Sequence, residues 1–254
     1  MKMLKVNAGV RLLAHMTLAM ALTLMLAACS DDPLINAVQD RDVARVQSLL
    51  EKGNAVNVYN RAGDSALAIA IRESQLDVVQ LLLQHDVDVN AHGVLGVTPL
   101  MLAASAGYVD LTRELLDRGA DVELRDNSGN SALMLLPIKD EPEVTRLLLQ
   151  RGADIHQGNH LGLNSLMVAA YLGHEQIFDI LQAAGIDVNI RTRTGQTALM
   201  RAARQGNDAI VRRLLALGAE VNVRDDDGES ALSLALKKNH IDTAELLRQA
   251  GASR

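Results

Sequence analysis

Six glycines stand in register along this chain, one every 33 residues. They are Gly63, Gly96, Gly129, Gly162, Gly195 and Gly228. At the usual glycine frequency of about 7%, five further hits after the first have a chance probability of roughly 10⁻⁶. A fixed period of this length is the signature of a repeat array, in which each unit packs against its neighbours. The period therefore constrains the fold before any single motif is considered.

Each unit carries residues that start and end helices at fixed distances from its glycine. Two positions after the glycine stands a side chain that can accept a hydrogen bond from the free N–H groups of a helix start. These residues are Ser65, Thr98, Ser131, Asn164, Thr197 and Ser230. A second apolar run with helical spacing follows in each unit. In all but the first of these units it stops at a glycine, which suits the left-handed conformation that ends a helix. The glycines that close these runs are Gly119, Gly152, Gly185, Gly218 and Gly251. Each unit is therefore expected to contain two helices.

Short stretches of alternating polarity join one unit to the next. Residues 121–124 and 187–190 are examples, and each leads to the next glycine of the register. Alternation of this kind is typical of extended segments. The sequence thus predicts a hairpin finger between successive pairs of helices.

Two helices, a turn and a finger in 33 residues resemble the ankyrin repeat. Its Thr-Pro-Leu-His-x-Ala signature stands here as Thr98-Pro99-Leu100-Met101-Leu102-Ala103. The resemblance covers residues 34–254 and implies an all-α solenoid with short β-hairpin fingers, made of six full repeats and a partial N-terminal repeat. It also implies a protein-binding module without enzymatic activity. The place of the family's histidine is held by methionine in four repeats, at Met101, Met134, Met167 and Met200. We expect these methionines to be partly buried filler rather than an adaptable binding surface.

The third full repeat departs from this pattern. Pro137 and Pro142 bracket four residues where the turn between its two helices is expected. A proline inside a helix removes a backbone hydrogen bond. We therefore expect the first helix of this repeat to end early.

The N-terminus has the order of segments found in a secretory signal. Lys2, Lys5 and Arg11 precede an apolar stretch at 16–28 that is short for a membrane span. The sequence 26–29, Leu-Ala-Ala-Cys, resembles the bacterial lipoprotein box, in which the cysteine is lipidated and becomes the new N-terminus. The alternatives are an uncleaved anchor and an ordinary signal followed by an isolated cysteine. The predicted organisation is a signal peptide at 1–28, a lipidated tether at 29–33 and the repeat domain at 34–254.

A lipid on Cys29 would hold the protein on a membrane. The resemblance to bacterial lipoproteins also implies that Ser30, directly after the cysteine, favours the outer membrane, with the chain facing the periplasm, over retention at the inner membrane. Residues 30–33 reach at most about 14 Å at about 3.5 Å per residue, so the first repeat would lie against the membrane. Apart from this covalent lipid, no cofactor is expected.

Charge and composition point away from nucleic acid and from catalysis. Removing the three basic residues of the signal from the chain's 25 leaves 22 against 31 acidic residues, a net charge of −9. His156 and His160 flank a predicted hairpin rather than sharing a helix face, so a metal site is not favoured. The acidic residues at 225–229 suggest a calcium loop, but the acidic residue due at its start is Val223 and no closing glutamate follows at the required distance, so they are interpreted as a finger tip. No triad or nucleotide-binding loop is recognised, and no catalytic or metal residue is predicted.

Partner contacts in the ankyrin family cluster on finger tips and at the turn between helices, along one concave face. The resemblance places the following residues there: Val94, Leu95, Val97, His160, Leu161, Leu163, Tyr171, Arg191, Arg193 and Arg204. We interpret them as an apolar patch anchored by Tyr171 and bordered by arginines that meet acidic groups of a partner. The alternative is that Val94, Leu95, Leu161 and Leu163 only pack finger against finger.

The function predicted from the sequence is a membrane-anchored, monomeric module of the bacterial envelope that binds another envelope or exported protein. An inhibitor or immunity protein against an exported toxin or enzyme is one version, and an accessory protein in peroxide defence is another. A small-molecule or enzyme site in the groove and a structural tether to the cell wall are the alternatives from other classes. An enclosed pocket would favour the small-molecule or enzyme class.

Overall fold

The computed structural model describes residues 32–93, 95–136 and 140–253. In this part of the chain it contains thirteen α-helices, one 3₁₀ turn and no strand beyond a single bridge between Tyr59 and Ser65. The chain divides into two compact units, Met1–Leu95 and Gly96–Arg254. The predicted signal peptide and Cys29 lie outside the described residues. No helix within the described ranges is long and apolar enough to cross a membrane.

The first compact unit holds the partial repeat and the first full repeat. Its helices are α1 (Pro33–Gln39), α2 (Val43–Glu51), α3 (Ala66–Arg72) and α4 (Leu76–Leu83). Within it, α1 packs against α2 of its own repeat and against α3 of the next. Leu34, Ile35, Leu67 and Ile69 are fully buried between these helices.

The second compact unit holds the remaining five repeats. Its elements are α5 (Pro99–Ala106), α6 (Val109–Asp117), the 3₁₀ turn (Ala132–Met134), α7 (Pro142–Gln150), α8 (Ser165–Leu172), α9 (Glu175–Ala183), α10 (Ala198–Gln205), α11 (Asp208–Ala216), α12 (Ala231–Lys237) and α13 (Ile241–Gln249). Each helix packs against its partner in the same repeat and against the corresponding helix of the neighbouring repeat, as α10 packs against α8 and α12. The predicted all-α array of paired helices is confirmed.

The predicted helix starts are confirmed in five of the six full repeats. Thr197 Oγ1, for example, accepts a hydrogen bond from Met200 N at 3.3 Å, and Asn164 Oδ1 accepts one from Met167 N at 2.9 Å. Ser65, Thr98 and Ser230 cap their helices in the same way. Ser131 makes no such bond, since only a 3₁₀ turn follows it.

The fingers are shorter than predicted, because their arms do not pair as strands in the described residues. Five of the six fingers are tight turns closed by the first residue of the tip, which is Asn60, Asp126, Asn159, Thr192 or Asp225. In the last finger, Asp225 Oδ1 accepts hydrogen bonds from Asp227 N and Glu229 N, and Asp225 N donates to Glu229 O. These bonds satisfy the backbone groups that a longer hairpin would have paired. The interpretation of 225–229 as a finger tip is confirmed.

Asparagine side chains link successive repeats through the loop backbone. Asn189 Oδ1 accepts from Glu220 N at 2.9 Å, while its Nδ2 donates to Gly218 O at 3.3 Å. Asn57 and Asn222 make the same pair of bonds to the repeats that follow them. Each asparagine therefore fixes the spacing of two adjacent repeats.

The third full repeat is irregular, as its prolines predict. Its first helix is reduced to the 3₁₀ turn Ala132–Met134, and Pro142 occupies the first position of α7. The carboxylate of Asp140 reaches the next repeat, where it accepts hydrogen bonds from Gln176 N at 2.9 Å and Ile177 N at 3.1 Å. A residue of the irregular segment thus caps the start of α9, a role that its local sequence does not indicate.

The methionine ladder lies inside the second unit. Met101, Met167 and Met200 are each 1% exposed, and Met134 is 5% exposed. They are core residues, which confirms the interpretation as filler and extends it from partial to nearly complete burial.

Candidate protein-binding surface

The fourth finger and the helix that follows it place three of the predicted residues on the surface of the second unit. His160 and Leu161 form the tip of this finger, and Leu161 is 50% exposed. His160 N donates to Ser128 O of the preceding finger, which fixes the tip through its backbone. Tyr171 is half-buried near the end of α8. A large apolar side chain and an aromatic residue are therefore both accessible in this repeat.

Leu163 does not belong to this surface. It is only 4% exposed, and its backbone N–H and carbonyl are both bonded to Asn159. The prediction that Leu163 faces a partner is wrong. Gly162 lies between the two leucines with φ 75°, so the strict alternation of side-chain direction is broken there. The alternative interpretation, in which these residues only pack finger against finger, agrees with the burial of Leu163 but not with the half-exposed Leu161.

The second finger falls on the division between the two compact units. Val94 lies outside the described residues. Leu95 belongs to the first compact unit and is 44% exposed, whereas Val97 belongs to the second and is half-buried.

Two of the three predicted arginines have partners inside the array. Arg191 Nη2 lies 2.6 Å from Glu220 Oε2, an ion pair between two exposed side chains. Arg193 Nη1 donates to His160 O at 2.9 Å, and Arg193 N donates to Leu161 O at 3.0 Å. Arg193 therefore connects the fifth finger to the fourth.

Arg204 lies near the end of α10 at the position that Tyr171 occupies in α8, one repeat earlier. Because α8 packs on α10, corresponding positions of the two helices are neighbours. In the described part of the chain no carboxylate oxygen lies within 4 Å of the Arg204 nitrogens. Tyr171 and Arg204 thus form one accessible face of the second unit.

Arg201 is a further member of this face that the sequence reasoning missed. Its Nη2 donates to Gln196 Oε1 at 3.2 Å, while its Nε is buried without a hydrogen bond. Burial lowers the pKa of Arg201 to about 10, with a smaller lowering from the charge of Arg204 and an opposing effect of Tyr171. A comparison of this helix position across the repeats could have revealed it, because every other full repeat has an apolar residue there. We call this set of corresponding positions the apolar column: Ile69, Leu102, Leu135, Val168 and Leu234.

The described residues include no group of three histidine, cysteine, aspartate or glutamate side chains placed to hold a metal ion. His156 N and Gln157 are instead bonded to carboxylates, those of Asp154 and Glu123. The hydrogen bond from His156 N lowers the pKa of Asp154 below its ordinary value. These contacts organise a loop between repeats.

The comparisons with known proteins agree with this architecture. The family model for ankyrin repeats (3 copies) matches residues 10–93, 90–159 and 166–253, which is more than half of the chain. The first match begins at residue 10, inside the predicted signal peptide, which stays a prediction. A search of curated proteins finds no match. Ankyrin repeat proteins are in general interaction modules rather than enzymes. This chain belongs to the ankyrin repeat family and is a protein–protein interaction module.

Proposed function

We propose that this protein is a membrane-anchored module of the bacterial envelope that captures another envelope or exported protein. The capture surface is the face formed by His160, Leu161, Tyr171, Arg201 and Arg204, which we call the finger–helix face. The anchor is a lipid on Cys29. Membership of the ankyrin family supports the protein-binding part of this proposal, and the N-terminal sequence supports the anchor.

The observation that carries the proposal is the exposure of Leu161 on a finger whose backbone is fixed. Half of this leucine is accessible to solvent, although the tip is bonded to both neighbouring fingers through His160 N and Leu161 O. An apolar side chain held in a fixed position can be covered by a partner without a large cost in chain ordering. Tyr171 adds the aromatic group that is enriched at the centres of protein interfaces.

The helices beneath this face are rigidly packed. Ala169 and Ala170 of α8 and Ala202 and Ala203 of α10 are fully buried. Asn207 Nδ2 donates to Ala170 O at 2.8 Å and to Tyr171 O at 3.1 Å. Because the end of α8 is held by the next repeat, Tyr171 is presented in a defined position.

Affinity capture from the protein's own cell envelope tests the proposal. The bait is the full chain, compared with Leu161→Asp and with Leu217→Asp, which changes a leucine of similar exposure at the end of α11. We expect the bait and the Leu217→Asp control to retain one common partner and Leu161→Asp to lose it. Equal recovery of every protein by all three baits would overturn the proposal. Circular dichroism confirms that the variants keep their helices.

A further inference from the structure

An acid–base pair recurs at two fixed positions of the repeat, one and nine residues after the finger glycine. In the repeat of Gly63, Asp64 Oδ2 lies 2.8 Å from Arg72 Nη1, and both side chains are largely buried. In the repeat of Gly228, Glu229 pairs with Lys237. The same two positions thus bring opposite charges together in two separate repeats.

The repeat of Gly195 keeps the base and lacks the acid. Arg204 stands nine residues after the glycine, but the position of the acid is held by Gln196. The Gln196 amide carries no charge and is already bonded, since its Oε1 accepts from Arg201 and its Nε2 donates to Asp225 Oδ2 at 3.4 Å. The cation at this position is therefore left without the carboxylate that its counterparts have.

Arg201 adds a second positive charge to the same place. It lies three residues before Arg204 on α10, and residues at this spacing share one face of a helix. The positive charge of Arg204 repels that of Arg201. In the described residues, no carboxylate oxygen lies within 4 Å of the Arg201 nitrogens. A largely buried guanidinium with an unbonded Nε is costly unless an anion compensates it.

The helices packed against α10 contain no unpaired acid. No charged residue occurs in α8, and the only one in α12 is Lys237, which is paired with Glu229. In α11, the carboxylate of Asp208 accepts a hydrogen bond from Thr243 Oγ1. These helices therefore supply no carboxylate to Arg201 or Arg204. The carboxylate of Asp225, on the sixth finger, is bonded to Gln196 Nε2 and makes no ion pair with either arginine in the described residues.

We propose that Arg201 and Arg204 receive an aspartate or glutamate side chain of the partner protein, which supplies the negative charge that Asp64 and Glu229 supply in their own repeats. This inference rests on the proposed function, because it takes the occupant to be a protein. Each guanidinium group can present two parallel N–H donors, and this geometry matches the two oxygens of a carboxylate. In the first and last full repeats, the base that corresponds to Arg204 pairs with a carboxylate.

The site can be filled from within the chain. Gln196→Glu restores the internal pair at nearly unchanged volume, so the new carboxylate meets Arg201 and Arg204 and competes with any external one. Arg201→Gln combined with Arg204→Gln removes both charges instead. Arg212→Gln is the matched control, since Arg212 is an exposed arginine on α11 without an ion pair in the described residues.

The test measures binding of a fluorescein-labelled peptide of six glutamates to the full chain by fluorescence anisotropy. We expect the wild type and Arg212→Gln to bind alike, and both Gln196→Glu and the double arginine variant to bind about tenfold more weakly. Circular dichroism of both variants, which should retain the helical signal of the wild type, separates a filled or neutralised site from a damaged fold. Equal binding by all four proteins overturns the proposal, as does equal loss in the Arg212→Gln control. Inorganic phosphate or a DNA oligonucleotide that displaces the peptide at lower concentration overturns it too, in favour of a phosphate site.

The two proposals can fail separately. Capture of a partner that depends on Leu161 but not on Gln196→Glu would leave the proposed function standing and overturn the carboxylate site. Peptide binding with the expected dependence, together with no Leu161-dependent partner, would support the site and overturn the proposed function.

Discussion

Arg201 Nη2 donates a hydrogen bond to Gln196 Oε1 across 3.2 Å, so this guanidinium is bonded to a neutral amide rather than to a carboxylate. Gln196 stands where the first and last full repeats carry an acid, and Arg201 stands where the other full repeats carry an apolar residue. Two substitutions in one repeat thus place uncompensated positive charge on a chain whose overall charge is negative. A chain that keeps such an arrangement sacrifices stability at this point, which is typical of functional sites.

The first prediction concerns the cost of Arg201 to the fold. Arg201→Leu restores the apolar column and removes the unbonded Nε, so we expect a gain in the free energy of unfolding of about 1 kcal/mol. Urea denaturation monitored by circular dichroism measures it. Arg212→Leu, an exposed change on α11, should alter the free energy by less than about 0.5 kcal/mol. A loss of stability in Arg201→Leu would show that the charge is compensated within the chain.

The second prediction concerns the link between the irregular third repeat and α9. Asp140→Ala removes the carboxylate that caps Gln176 N and Ile177 N, and we expect a loss of about 1 kcal/mol. Amide hydrogen exchange should become faster at the start of Glu175–Ala183. Glu141→Ala, at the exposed neighbouring residue, is the control and should leave these amides unchanged. Unchanged exchange in both variants would mean that the cap contributes nothing.

The third prediction is a pH dependence at the last repeat. Hydrogen bonds from Lys237 and Ser233 lower the pKa of Glu229 below its ordinary value of 4.5. Since the folded-state pKa is lowered, the contribution of Glu229 is fully present above about 4.5 and is lost as the pH falls through the folded-state pKa. Glu229→Gln should therefore destabilise the protein at pH 7, by less than about 1 kcal/mol for this largely solvent-screened pair, and much less at pH 3. A difference between the two proteins that is the same at both pH values would contradict this assignment.

The fourth prediction concerns the anchor. Cys29→Ser should abolish incorporation of labelled palmitate and move the protein from the detergent phase to the aqueous phase in a phase-separation assay, because acyl chains supply the membrane affinity. Ser30→Ala is the control that should keep both properties. Retention of Cys29→Ser in the membrane would favour an uncleaved anchor at 16–28 instead.

Helix starts and the repeat register could be predicted from the sequence because each depends on a single local residue type. Thr197 caps α10 through its own side chain, and Gly195 has the positive φ of 76° that its position suggests. A glycine there also avoids a clash, since an added Cβ would lie 3.1 Å from Asp225 Cα of the next finger. Because these features recur in successive repeats, a helix start that is assigned wrongly in one repeat is corrected by comparison with the others.

What could not be predicted depends on contacts between repeats or on departures from the register. The Asp140 cap joins residues 36 positions apart, and no local pattern indicates it. The resemblance places Leu163 on the binding surface because it lies at a finger-tip position, whereas its bonds to Asn159 and its burial depend on how this particular finger closes. Arg201 lies outside the finger tips and turns that the family resemblance indicates, and only the comparison of its helix position across all full repeats shows that it is unusual.

Site-specific photocrosslinking in living cells tests the central claim, capture of a protein through the finger–helix face, most directly. Benzoylphenylalanine replaces Tyr171 at the end of α8 or, as control, the exposed Ala183 at the end of α9. We predict one discrete crosslinked product from position 171 and none from position 183. A product from position 183 alone, or none from either position, would contradict the account.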